Sequence, residues 1–273
     1  MDFINNPLHY RVIKVLRKPA ISTLNGNIRK KIKFSVTQDL VDELQKGDSK
    51  HRVILRMSTY RKEAAVYFDC ISTEFIIRVN GKKVNENQSE SDFYESPIDI
   101  TGYVNAIEPF ITVKRAHNCT AKTVVIGIYH IEMLTVNESL EKIENLKSRT
   151  RQAMLKLIRD RFSSDDEIEV NSVIVPLKCP LSTNRIEIAA VGLECKHAAC
   201  FDLKTFLEVN LETFNWICPL CNNTIKAGML SLDILMNNIL TETAVNCFKV
   251  EFDATGNWKE AKDNNNNRVF QID

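Results

Sequence analysis

Charge of one sign, long apolar runs, a leader pattern and internal repeats are all missing from this 273-residue chain. Lys and Arg total 36 against 35 for Asp and Glu, a net charge of +1, so no whole-molecule field draws it onto nucleic acid and any basic surface has to be local. The longest nearly uninterrupted apolar stretch, Thr123 to Ile131, falls far short of the roughly 20 residues a membrane-spanning helix needs. Met1 to Tyr10 lacks the basic-then-apolar order of a secretory leader. The expectation is a soluble, intracellular chain with no membrane partner. No repeat is visible, and low complexity is confined to Asn264–Asn267, near a C-terminus expected to fray. What remains is ordinary globular composition, 44% hydrophobic and 26% charged, enough for two or three small cores.

Eight cysteines would suggest disulfides in a secreted chain. Here Cys195, His197, Cys218 and Cys221 fall together at metal-ligand spacing, which favours metal and a reducing compartment. Cys70, Cys119 and Cys247 stand alone in apolar surroundings and read as buried free thiols.

From Leu8 to Leu134 the pattern is of short strands with one buried face: Ile28, Ile32, Phe34 and Val36 share a parity, as do Val53, Leu55 and Met57. Phe75 to Val79 runs into Asn80-Gly81, a pair that tolerates positive φ at both positions and so predicts a two-residue hairpin. Thr37 is placed to cap a short helix carrying Leu40, Val41 and Leu44. At Asn137, a candidate N-cap, the period turns helical through Leu140, Ile143, Met154, Leu157 and Ile158 to about Phe162, predicting one long helix. Its basic residues Lys147, Arg149, Arg151, Lys156, Arg159 and Arg161 read first as a solvated face, with phosphate or an acidic partner as the alternative. Ser163 to Glu169 follows as an acidic linker.

Chemistry concentrates between Val175 and Leu240. Cys195-x-His197 and Cys218-x-x-Cys221, with 20 residues between the pairs, supply the four soft or borderline ligands of a closed tetrahedral zinc site. Cys-x-x-Cys alone is weak, because redox motifs share it. A Cys-x-His knuckle followed by Cys200, a helix-like segment and Trp216-Ile217-Cys218-Pro219-Leu220-Cys221 has the ligand order of a RING from its third ligand onward. The other RING site would need Cys179, Ser182, Cys200 and Leu203. Serine is a poor zinc ligand and leucine none, so that site is expected to be held by hydrogen bonds and packing, leaving one structural zinc. Asp202 should cap a helix bearing Leu203, Phe206 and Leu207, and Ser231 another with Leu232, Leu235 and Ile239.

This loss of one site resembles the SP-RING of the PIAS/Siz SUMO ligases, as do Cys179-Pro180-Leu181-Ser182, Arg185-Ile186 and Cys200-Phe201-Asp202. Arg149 to Leu155 looks like the family's linking helix, and Pro97-Ile98-Asp99-Ile100-Thr101 is one residue from the signature of its PINIT domain. The resemblance implies an α+β chain: a mainly β PINIT-like domain at 1–136, a linking helix and acidic linker at 137–169, a single-zinc SP-RING module at 170–240 and a C-terminal extension at 241–273. It implies a SUMO ligase that works in the nucleus with a SUMO-conjugating enzyme, SUMO and a protein substrate. Leu181, Pro219 and Leu220 would meet the conjugating enzyme, and Phe248, Val250, Phe252 and Trp258 would hold SUMO. Two departures stand out. No SAP-type segment precedes the PINIT-like region, so direct DNA binding is not expected, and Phe214-Asn215 replaces a common Pro-Thr.

Blander readings stand beside these. His9, His51, His117 and His130 lack a second ligand nearby and read as ordinary histidines. Cys200 as a SUMO-carrying nucleophile would need His197 as base, which zinc would occupy. Ser172 to Val175, after Asp165, Asp166, Glu167 and Glu169, resembles a SUMO-interacting strand but is read as a strand entering the zinc module. Arg29-Lys30-Lys31 with Lys33 is read as the wet face of a strand rather than an import signal. A ubiquitin ligase with a degenerate RING or U-box, or a non-catalytic scaffold, would share much of this pattern.

Overall fold

The computed structural model describes the chain except residues 1, 4–7, 25–28, 47–49, 68, 70, 73–74, 85–92, 95, 116–122, 163–170, 212–215, 226–227 and 262–273. Ile28, Cys70, His117, Cys119, the acidic linker from Ser163 to Glu169, Phe214-Asn215 and Asn264–Asn267 thus lie outside the described residues. Two compact units emerge, Met1–Ser139 with Leu211–Asn215 and Leu140–Asn210 with Trp216–Asp273. None of the described helices is long and apolar enough to cross a membrane.

The first unit is built on two four-stranded sheets. One has the order Ile98–Asp99, His51–Thr59, Thr123–Met133, Tyr10–Thr23, and the other Lys30–Lys33, Phe110–Arg115, Phe75–Val79, Lys82–Lys83. All their pairings are antiparallel. Val53, Leu55, Met57, Ile126 and Ile128 of the first share one core with Ile32, Phe75, Ile77, Val79 and Ile111 of the second, the arrangement of a sandwich. The expected alternation holds at Ile32, Phe34 and Val36, which are buried while Lys33 and Ser35 are exposed. It is too narrow for His51–Thr59. Ile54 and Arg56 are buried as well, because a second core of Phe3, Tyr10, Ile54, Tyr67, Val125, Tyr129 and Ile131 covers that sheet's outer face. Arg56 is tolerated there by pairing with Asp69, Nη2 to carboxylate 2.7 Å, with the Phe3 ring 4.8 Å from its guanidinium.

Local signals behave as their chemistry dictates. Asn80 and Gly81 take φ of 49° and 86°, the two positive values that a type I′ hairpin needs. Thr37 accepts a hydrogen bond from Leu40 N at the start of α1 (Gln38–Leu44). In the Pro97–Thr101 motif, Ile98 and Asp99 pair with Leu55 and Ile54, and Ile100 enters the core. Thr101 Oγ1 then accepts from Val53 N at 2.9 Å. The motif is a staple that closes one edge of the first sheet.

The single long helix expected from Asn137 to Phe162 is instead four pieces: α2 (Val136–Leu140), a 3-10 turn (Ile143–Asn145), a strand (Lys147–Arg149) and α3 (Arg151–Phe162). Thr135, not Asn137, caps α2. Its Oγ1 accepts from Glu138 N while the Glu138 carboxylate accepts from Thr135 N, a reciprocal capping box. The Lys147–Arg149 strand exists because it finds a parallel partner in Leu230–Asp233, a tertiary pairing that overrides helical spacing. Of the six basic residues in this region, Arg149 alone is buried.

The second unit continues that sheet in the order Lys147–Arg149, Leu230–Asp233, Ala189–Gly192, Phe201–Asp202. Asp202 caps α4 (Leu203–Asn210), accepting from Thr205 N at 2.9 Å. The cap of α5 (Ile234–Glu242) is Asp233 rather than Ser231. Ser231 lies in the preceding strand and donates its hydroxyl to Val191 O. A three-stranded sheet of Val173–Pro176, Lys249–Phe252 and Trp258–Glu260 completes the unit.

His51 and His130, on neighbouring strands of the first unit, place Nδ1 and Nε2 2.9 Å apart. Burial, then the charges of His51 and Lys14, holds the His130 pKa below the usual histidine range. A depressed folded-state pKa means that stability is fully present above the unfolded value, about 6.5, and is lost as pH falls below it. The melting temperature should therefore drop between pH 7.5 and 5.5, and drop less in His130→Gln; identical pH profiles for the two proteins would refute the coupling.

Candidate metal centre

Two loops of the second unit share one backbone design. In Cys179-Pro180-Leu181-Ser182-Thr183-Asn184, Cys179 N donates to Asn184 O and Thr183 N to Cys179 O, at 2.8 and 2.9 Å. In Cys218-Pro219-Leu220-Cys221-Asn222-Asn223, Cys218 N donates to Asn223 O and Asn222 N to Cys218 O, at 2.9 and 3.0 Å. The fifth residue of each has positive φ, 61° at Thr183 and 56° at Asn222. This is a short internal repeat, although none was expected; six residues are too few for a periodicity search to register. The fourth position separates them, Ser182 in one loop and the ligand Cys221 in the other.

The second loop faces the Cys195-x-His197 knuckle. The ligating atoms of Cys195, His197, Cys218 and Cys221 all lie within 4.8 Å of one another. Cys195 and Cys221 sulfurs are 3.7 Å apart, against roughly 3.8 Å for the S···S edge of a tetrahedron with Zn–S bonds of about 2.3 Å. His197 Nδ1 donates to Ala199 O at 2.8 Å, which fixes the tautomer and leaves Nε2 3.3 Å from Cys218 Sγ. The hydrogen bond from Cys195 pulls the Cys218 thiol toward thiolate, while its bond to Cys218 and burial push Cys195 up. The donor set and spacing fit a zinc ion with all four positions taken by protein, which leaves no place for a catalytic water. Trp216 anchors this loop to α4: its ring meets Phe206 edge-on at 5.5 Å and its Nε1 donates to Asn210 O.

At the other RING position hydrogen bonds do the holding. Cys179 Sγ accepts from Asp202 N at 3.3 Å, Ser182 Oγ accepts from Asn184 N, and Leu203 is buried. Cys200 is also buried, and burial pushes its thiol well above the ordinary range, which removes the thiolate that a covalent carrier would need.

The remaining site residues divide by exposure. Leu181 is 37% exposed and Pro219 and Leu220 are half-buried. Val250 and Phe252 are fully buried, so the expectation that they touch a partner is corrected: they fill the core of the three-stranded sheet. Phe248, with Lys178 Nζ 4.4 Å from its ring, and half-buried Trp258 stay accessible. Val173–Pro176 pairs with Lys249–Phe252 as a strand of the zinc-module unit.

Two residues of the site were missed. A Cβ on Gly192 would come within 2.8 Å of Cys195 Sγ, so only glycine lets the knuckle lie this close; nothing in the sequence around it marks the need. Arg149, read as part of a solvated face, donates to the carboxylate of Asp233, to His197 O and Ala198 O at 2.7 and 3.1 Å, and to Cys200 Sγ at 3.5 Å. It ties the knuckle to the cap of α5. Removing one partner of a buried ion pair costs about 3 to 5 kcal/mol. Arg149→Met should lower the melting temperature and speed metal loss to a chelator, and a variant as stable as the unmodified protein would show that the strut carries no load.

The MIZ/SP-RING zinc finger family matches residues 175–224. The E3 SUMO-protein ligase pli1 of Schizosaccharomyces pombe is 26% identical over 92% of this chain and 36% of its own length. The E3 SUMO-protein ligase SIZ1 of Saccharomyces cerevisiae is 26% identical over 83% of this chain and 26% of its own. PIAS4-A of Danio rerio, also named an E3 SUMO-protein ligase, is 25% identical over 84% and 48%. This chain thus spans less than half the length of these relatives. The S. cerevisiae SIZ1 crystal structure superposes with a TM-score of 0.53 at 22% identity, covering 95% of this chain and 94% of that one. For SIZ2 the values are 0.54, 23%, 94% and 100%. The chain thus carries a MIZ/SP-RING zinc-finger match that includes its Cys/His cluster, and along most of its length it is similar to the Siz/PIAS SUMO ligases in sequence and fold.

Proposed function

We propose that the chain is a SUMO E3 ligase that acts by orientation. The observation that carries this reading is the closed Cys195, His197, Cys218, Cys221 cluster beside two like loops that each present a leucine, Leu181 and Leu220. One zinc ion per chain would fix those loops. The apolar surface of Leu181, Pro219 and Leu220 meets the conjugating enzyme, whose own cysteine carries SUMO. Phe248 and Trp258 hold SUMO, and confining thioester and acceptor lysine in a near-attack geometry lowers the entropic barrier without a nucleophile on this chain. The PINIT-like first unit selects the substrate, and the nucleus is the compartment where this takes place. Purified protein mixed with SUMO or with ubiquitin machinery tests the reading directly: stimulated SUMO discharge supports it, ubiquitin discharge favours a degenerate RING ligase, and neither favours a scaffold.

Metal analysis after gel filtration should give one equivalent of zinc, and Cys218→Ser should give none; two equivalents in the unmodified protein would place metal at Cys179 and Cys200 as well.

Leu181→Ala should keep zinc content and melting temperature while slowing SUMO discharge, because its side chain is exposed. A stability loss of roughly 2 to 5 kcal/mol, the range for a core leucine, would mean that Leu181 packs inward instead.

A further inference from the structure

Charge in this chain balances overall but not locally. From Tyr10 to Lys33 there are eight basic residues and no acidic one. The two strands that carry most of them, Tyr10–Thr23 and Lys30–Lys33, are the outermost strands of the first unit's two sheets. They lie on the same side of the sandwich, since Arg17 Nη1 donates to Lys33 O at 3.3 Å. Part of the charge is internally answered: Arg11 faces Glu132 and Glu138, and Lys31 sits over the Phe110 ring. Lys14, Arg17, Lys18, Lys30 and Lys33 are exposed and form no ion pair among the described residues.

Aliphatic side chains are interleaved with these charges. Ile13, Val15 and Ile21 are 47%, 41% and 47% exposed. From the geometry we infer that this flank docks an acidic, aliphatic-bearing segment of the substrate protein, an inference that rests on the first unit selecting the substrate. Register shifts opposite Ile126–Ile128, Ile128–Tyr129 and His130–Ile131, together with Pro19, interrupt the outer row of backbone donors and acceptors. The segment is therefore held by side chains and not by strand addition. Nucleic acid fits the flank less well. Single-strand sites stack bases on aromatic rings, yet Tyr10 and Phe34 are buried and the half-buried Phe110 ring is already capped by Lys31, and exposed aliphatics contribute nothing to a phosphate backbone.

The test uses the full chain and three fluorescent probes: a peptide alternating Asp or Glu with Leu or Val, the same peptide with its aliphatics replaced by serine, and a duplex DNA oligonucleotide. The unmodified protein should bind the first most tightly and lose affinity as salt rises. Lys14→Glu with Lys18→Glu and Lys30→Glu should weaken that binding roughly tenfold or more, and Ile13→Ser with Val15→Ser should erase the preference over the serine peptide. Zinc content and SUMO discharge to free lysine should be unchanged in both variants. Equal peptide binding by the charge-reversed protein, or no peptide binding at all, overturns the inference. DNA bound more tightly than the peptide, and lost on charge reversal, overturns it in favour of a nucleic-acid surface. If the unmodified protein fails to discharge SUMO but still binds the peptide in a charge-dependent way, the ligase reading falls and the docking surface stands.

Discussion

The second unit depends on one constraint: four ligating atoms from two distant stretches of chain must converge to within 4.8 Å. About 20 residues separate the knuckle from the Cys218 loop. Closing such a loop costs entropy that a small core repays poorly. A structural zinc, with apparent binding energies of about 10 to 16 kcal/mol in small sites, would more than offset that cost. The surrounding features serve to hold the ligands ready. Gly192 leaves room for Cys195, Ala199 O orients His197, and Trp216 fastens the second loop to α4.

The paired loops show how one ligand set can be lost without losing its shape. Both keep the Cys-Pro-Leu opening, the closing asparagine carbonyl and a fifth residue at positive φ. Where Cys221 completes the metal set, Ser182 stands in the first loop, and the work passes to hydrogen bonds. Asp202 N satisfies Cys179, and the Arg149 guanidinium, anchored by Asp233, reaches Cys200 and the knuckle carbonyls. Arg185 adds a further tie, donating to Leu240 O and the Thr243 hydroxyl at the end of α5. Leu181 and Leu220 occupy the same step of equivalent loops.

What the sequence disclosed follows the range of the interactions involved. Ligand spacing, the Asn80-Gly81 turn, the Thr37 and Asp202 caps and the alternation from Ile32 to Val36 are set by neighbours a few residues apart, and each was legible. Arg149 was not: its burial comes from a parallel pairing with Leu230–Asp233 across more than 80 residues, and its spacing alone matched a helix face. The second core behind Ile54 escaped for the same reason, because nothing near that strand announces that Phe3 and Tyr67 will cover it. Val250 and Phe252 carried a misleading signal. An apolar pair two residues apart marks one face of a strand but does not say whether that face meets a partner or the protein's own sheet.

The chemistry available to the chain follows from what its thiols and metal ligands are denied. Cys200 is buried and held in its protonated form, Cys179 accepts a backbone hydrogen bond, and the four clustered ligands leave no open coordination position. Neither Cys200 as a covalent carrier nor a metal-bound nucleophile at the cluster fits these conditions. On the proposed reading the chain would act by orientation, and orientation demands rigidity where partners meet. The loops that bear Leu181 and Leu220 would meet that demand, cross-linked by the metal ligands on one side and by buried arginine and backbone hydrogen bonds on the other.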